Sequence, residues 1–205
     1  MSLEVVALVP SRGPLRAMRG ALITAGRPFL ASAGLLEPYR ARVSVELDRQ
    51  LRPVAASDWV SVDLLAPHFA ALDTLPMTPQ ARMALGATVG ESNWGPTLRT
   101  VARLAGALGA SPWLGIGRSP KFFERNLQGG GLRVSRRDRC VALVEMLDCG
   151  AWAAASDHFV YTTLGSWLAG VAAFAEPNRD ADAIPLKRSP GRIAFELSWS
   201  ERTRR

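Results

Sequence analysis

Apolar positions recur at helical spacing through most of the first 128 residues and give way to strand-like alternation further on. Residues 3–9 (LEVVALV) read as a short strand or an extended arm, punctuated by Pro10 and the Ser11-Arg12-Gly13-Pro14 cluster. Leu15, Met18, Leu22 and Phe29 predict a helix from Leu15 to about Ala33, bent or split at Gly26 and Pro28, with Gly34 as its C-cap. Val43, Leu47 and Leu51 form one stripe of a helix over Tyr39–Leu51 that Pro53 ends. Val62, Leu65, Phe69 and Leu72 make another, with Pro67 kinking or delaying its first turn. Thr78-Pro79 is an N-cap followed by proline at the first helical position, and predicts a helix to about Val89. A further helix covers Thr97–Leu108, and short helical pieces begin at Ser111-Pro112 and Ser119-Pro120.

Gly129-Gly130-Gly131 is the sharpest breaker in the chain. Beyond it Leu132, Val134 and the run CVALVEML predict a hairpin turning at Arg136-Arg137-Asp138. Asp157 caps an expected helix over His158–Ala175, stopped by Pro177-Asn178. Ala183–Lys187 and Arg192–Trp199 read as a second hairpin about Ser189-Pro190-Gly191. In it Ile193, Phe195, Leu197 and Trp199 alternate with Arg192, Ala194, Glu196 and Ser198. Helices first and antiparallel strands later predict an α+β fold, with N-terminal helices packed on a small antiparallel sheet. The expected organisation is one domain over 1–205: an arm (1–12), a mainly helical part (13–128) and a hairpin-helix-hairpin part (129–200).

Composition supports a sizeable core: 48% of the 205 residues are hydrophobic, and six Trp and seven Phe can anchor it. The net charge of +7 is almost wholly arginine, since only Lys121 and Lys187 are lysines. Arginine suits phosphate and carboxylate recognition, but here it is scattered, without the aromatic interleaving of a single-strand groove, so a bias in composition accounts for it and nucleic acid is not expected as a partner. Cys140 and Cys149 flank a predicted strand that holds them beyond bridging distance, so free thiols are expected. No stretch reaches the roughly 18 apolar residues of a membrane span. A cytoplasmic location follows by elimination.

The order PKFFERNLQGGGLRV, CVALVEML, DHFVYTTLGSWLAGVAAF and RIAFELSW resembles the C-terminal half of an uncharacterised protein family found mainly in myxobacteria and related proteobacteria. DWVSVDLLAPHFAALDTLPMTPQARMALG and LGASPWLGIGRSPKFFERNLQGGG are similar to the same family, so the likeness spans roughly residues 13–200. That family more distantly resembles vinyl-reductase-type and haem-nitric-oxide-type ligand-binding domains and TRAPP-type subunits. The resemblance implies helices over an antiparallel sheet, and ligand binding or adaptor contacts in place of a reaction. The haem-binding relatives use a histidine with a downstream Tyr-x-Ser-x-Arg motif, which this chain lacks. The late cysteines of the vinyl-reductase type are missing too. No cofactor or metal is expected.

No catalytic motif stands out, so the residues do not point to an enzyme. His68 reads as a structural or partly exposed residue and His158 as part of a helix start, while Asp157-His158 lacks a nucleophile to serve. Gly86-x-x-x-Gly90 and the triple glycine lack the strand-loop-helix order of a phosphate loop, and Gly115-Ile116-Gly117 fails the dinucleotide pattern. Trp94, Trp113, Phe122 and Phe123 are either core or the lining of an apolar pocket between helices and sheet, where Arg99 and Arg118 could hold a carboxylate and His68 could join the contact. The leading expectation is a non-catalytic domain that binds an apolar or acyl small molecule and signals through protein contacts. The alternative is a ligand-free scaffold or homodimer, suggested by an exposed edge at Arg192–Trp199 and by the apolar helix Val160–Ala175.

Overall fold

The structure, a computed structural model, describes residues 3–174 and 181–200, and for residues 94–99 the backbone alone. In chain order the elements are β1 (Glu4–Val9), β2 (Ala17–Arg19), α1 (Ala21–Thr24), α2 (Arg27–Ser32), α3 (Leu36–Arg40), α4 (Val45–Leu51), β3 (Trp59–Ser61), α5 (Val62–Asp73), α6 (Pro79–Ala107), α7 (Trp113–Ile116), α8 (Ser119–Asn126), β4 (Leu127–Gln128), β5 (Gly131–Asp138), β6 (Val141–Leu147), α9 (Ala151–Ala155), α10 (Asp157–Ala172), β7 (Ala181–Ser189) and β8 (Arg192–Trp199). This is the α+β arrangement expected, with antiparallel hairpins on either side of a long helix.

The main sheet has five antiparallel strands in the order β1-β5-β6-β8-β7. Its inner face is apolar: Leu132, Val134, Val144, Ile193, Phe195 and Leu197 are fully buried. The outer face carries charges in register. Glu145 accepts from Arg192 on the neighbouring strand, and Arg137 on β5 donates to Glu196 on β8 at 2.7 Å. The helix α10 lies against β7 and β8 on one side and along α6 on the other. Three short strands, β3-β2-β4, form a second sheet.

The α6–α10 contact is made by glycine. An added Cβ at Gly86 would lie 2.0 Å from the Thr162 carbonyl oxygen, and one at Gly165 would lie 1.9 Å from that of Met83. Ser166 Oγ donates to the Gly86 carbonyl at 2.7 Å. The Gly86-x-x-x-Gly90 spacing therefore serves backbone approach between two helices.

Several sequence expectations change. Residues 4–9, grouped with the arm, form the edge strand β1 paired to β5. The segment from Leu15 is not helical at first, because Ala17–Arg19 pairs with both β3 and β4; helix starts only at Ala21 and breaks at Gly26. The helix expected over Tyr39–Leu51 is two, since Ser44 breaks in as an N-cap whose side chain accepts from Leu47 N–H. The helices expected on either side of residues 90–96 are one, α6, running through Pro96. Ser156, not Asp157, caps α10 by accepting from Phe159 N–H. The strand β8 is no exposed edge: β6 and β7 cover both its sides, and β7, which carries Pro185, is the edge. The Pro177-Asn178 stop lies outside the described residues. Cys140 and Cys149, at the two ends of β6, are not joined by a disulfide. No helix among the described residues is long and apolar enough to cross a membrane.

Candidate functional site

Between the helices and the inner face of the main sheet lies a cavity of about 590 Å³. That volume falls within the ~300–1,000 Å³ of small-molecule sites. Its walls are mostly apolar: Leu85, Val89 and Ala102 from α6, Phe159 and Trp167 from α10, Phe122 and Phe123 from α8, and Leu132 and Met146 from the sheet. The close glycine crossing brings α6 and α10 together as two of these walls.

A small polar group interrupts the apolar lining. Tyr39 on α3 and His68 on α5 share a 2.7 Å hydrogen bond between the hydroxyl and Nδ1. Burial pushes the His68 imidazole down to about 4, with Arg27 adding to the effect, and pushes the Tyr39 phenol up to about 12. His158, in the first turn of α10, is pushed down to about 3 by burial, then by His68 and Arg82. Its backbone N–H donates to Asp73 Oδ1 at 2.6 Å, whereas its Nδ1 has no hydrogen-bond partner among the described residues. Phe69 stands between the two imidazoles, with ring centroids 5.1 Å from His68 and 6.0 Å from His158, and stacks on Trp152. Both histidines are therefore neutral at pH 7 and embedded in an aromatic cluster.

Cations rim the cavity in two sets. Arg27 donates to the Leu51 and Arg52 carbonyls, Arg40 pairs with Glu37 at 2.6 Å, and Arg52 pairs with Asp48. On α8, Arg118 (the residue at its N-cap), Lys121 and Arg125 are exposed and line the opening.

Of the residues singled out from sequence, His68, Arg118, Phe122 and Phe123 line the cavity. Trp113 points elsewhere: its indole N–H donates to the Arg139 carbonyl at 2.7 Å, its ring meets Trp199 edge-on at 5.0 Å, and the Arg136 guanidinium lies 4.7 Å over it. The side chains of Trp94 and Arg99 lie outside the described residues. Sequence reasoning missed Tyr39 as a wall residue and read His158 only as part of a helix start. The signal available was slight: Tyr39 lies between Glu37-Pro38 and Arg40, and His158 follows Ser156-Asp157, so neither neighbourhood announces a buried ring.

A helical front half, a hairpin-helix-hairpin rear and a cavity between them define a class of α+β folds built around a pocket. Solved structures place it further. An H-NOX protein from K. algicida, described as Fe(II) unliganded, matches with a TM-score of 0.60 at 10% identity, over 91% of this chain and 98% of that one. An H-NOX protein from S. oneidensis in the Fe(II)NO ligation state matches with a TM-score of 0.57 at 8% identity, over 90% and 100%. The chain thus has the H-NOX fold. No protein-family model matches the sequence, and neither does any curated protein.

Proposed function

We propose that this chain is a non-catalytic sensory domain, folded as one unit, that holds an apolar small molecule in the cavity and passes on the bound state through protein contacts. The observation that carries this reading is the mostly apolar space of about 590 Å³ between helices and sheet. The fold shared with proteins described in Fe(II) and Fe(II)NO states supports it. Cytoplasmic residence belongs to the same proposal.

Haem is the group named for such neighbours, one of which is described through heme distortion. A haem iron needs a donor side chain free to face the space, an imidazole, thiolate, thioether or phenolate. His68 is 6% exposed and His158 2%, both rings are wedged against Phe69, and His68 is tied to Tyr39. As placed, these donors do not fit haem, and the proposed ligand is an apolar molecule without iron.

The test is native mass spectrometry of the purified protein, with its absorption spectrum and thermal unfolding with and without apolar probes. A ligand at about a hundred times its Kd adds ~2.7 kcal/mol, raising Tm by about 5–10 °C. Ala102→Phe, which fills the wall of α6, should abolish the rise. A protein that carries nothing and is stabilised by no probe sinks the reading, and a haem absorption band would overturn the assignment of an iron-free ligand.

A second reading, a ligand-free homodimer, is favoured by one observation. Val101 and Leu104 on α6 and Leu108 at its C-cap are exposed apolar residues, Leu108 at 88%. Light scattering showing a monomer at every concentration removes it.

A further inference from the structure

We infer that the ligand is an amphiphile whose anionic head group is held at the start of α8, by Arg118, Ser119 and Lys121, while its apolar body fills the cavity; this rests on the reading of the cavity as a binding site. The cations differ across the opening. Those of the α2–α4 side are occupied, Arg40 and Arg52 by carboxylates and Arg27 by two carbonyls. Arg118 and Lys121 form no ion pair with any described residue, and neither does Arg125 further along the helix. The acidic residue of α8, Glu124, is turned to Arg12 at 3.8 Å. A second, independent feature lies between the two cations. Ser119 is 7% exposed and lines the cavity, yet its hydroxyl has no hydrogen-bond partner among the described residues. A buried hydroxyl left without a partner is costly, and a carboxylate or phosphate oxygen accepting from it removes that cost.

The local field agrees. A cation at a helix N-terminus is unfavourably placed against the helix dipole, and an anion there is favoured by the dipole and by the first-turn N–H groups of Ser119 and Lys121, Pro120 having none. Arg118 occupies that position. Beside it the lining turns apolar at once, through Ile116, Phe122 and Phe123. A ligand reaching from Lys121 inward therefore meets charge first and hydrocarbon after. Arginine's planar fork suits carboxylate and phosphate alike, so the shared chemistry is an oxyanion on an apolar chain.

The experiment measures binding of palmitate, hexadecyl phosphate and methyl palmitate to the full chain by calorimetry, with circular dichroism to confirm folding. The variants are Arg118→Gln/Lys121→Gln, Ser119→Ala and Ala102→Phe. Expected is a loss of about tenfold in affinity for the anionic probes in the double variant, and a smaller loss in Ser119→Ala. The ester, bound more weakly from the outset, should be unaffected by either change. Ala102→Phe should lower binding of all three probes. The preference between palmitate and hexadecyl phosphate then tells a carboxylate head from a phosphate one. If the ester binds as tightly as the anions, or the double variant weakens nothing, the head-group site is overturned and the cavity reading stands. If Ala102→Phe leaves anion binding intact, the anions bind elsewhere and the assignment is overturned. If no probe binds the wild-type chain, both readings fall.

Discussion

Replacing Gly165 by alanine tests the packing that forms two walls of the cavity. The new methyl carbon would lie 1.9 Å from the Met83 carbonyl oxygen and 2.8 Å from its Cα. Real side chains essentially never approach within 3.0 Å, so α6 and α10 must separate by at least about 1 Å. The atom met is backbone, which cannot rotate away as a side-chain end can. Overpacking of this kind costs ~3 kcal/mol, at the upper end of the usual range. Alanine returns ~1 kcal/mol by its better helix propensity. The expected net loss is about 2 kcal/mol, read as a fall of about 4–8 °C in Tm for a chain of this size. Gly26→Ala is the control, because its Cβ would meet only the end of the Leu85 side chain at 3.3 Å and the Ile23 carbonyl at 3.5 Å. It should stay within about 1 kcal/mol of wild type. Gly86→Ala opens the same crossing, so the double variant Gly86→Ala/Gly165→Ala should lose less than the sum of the two. Thermal and urea unfolding measure all four variants against wild type. A Gly165→Ala protein as stable as wild type, or a Gly26→Ala loss of the same size, would refute the reasoning.

Further outcomes follow from the polar wall. His68 and His158 are held neutral in the folded chain, with values near 4 and 3, so in the window from about 6.5 downward the unfolded chain binds protons that the folded one refuses. Stability should therefore fall as pH drops through that window, by about 3 kcal/mol from His68 alone once pH reaches 4. Urea titrations at stepped pH should show a shallower slope in His68→Asn, and an unchanged slope there would refute the assignment. Tyr39→Phe removes the partner of His68 Nδ1 and should cost about 1–3 kcal/mol, measured by chemical unfolding. Phe123→Ala truncates a buried wall residue and should cost about 3–5 kcal/mol while enlarging the cavity. If it unfolds at the wild-type urea midpoint, Phe123 is not packed as described.

Local chemistry was readable where it was self-sufficient. Thr78-Pro79 announced α6, Gly34 ended a helix with φ +70°, and Gly191 turned the last hairpin with φ +76°. The alternation in Ile193–Trp199 placed those residues inside, as observed. Distant partners defeated the reading elsewhere. Ala17–Arg19 shares its spacing with a helix, and only pairing with Trp59–Ser61 and Leu127–Gln128 makes it a strand. The helix expected to end at about Val89 runs on as far as Ala107, because packing along α10 outweighs local preference. In the cavity, the aromatic pair Phe122-Phe123 was legible as wall or core. Trp113 was not separable from it by sequence, since its destination depends on Arg136, Arg139 and Trp199. The orphaned Ser119 hydroxyl and His158 Nδ1 exist only once the chain has closed around them.

The register Glu4↔Arg136 joins β1 to a strand that follows it by more than half the chain. At translation rates of about 5–20 residues per second, Val5, Val6, Leu8 and Val9 leave the ribosome on the order of ten seconds before anything can zip against them. For that interval a short greasy ribbon is available to whatever else is nearby. A hazard of misassembly for this protein therefore opens while the chain is still being made.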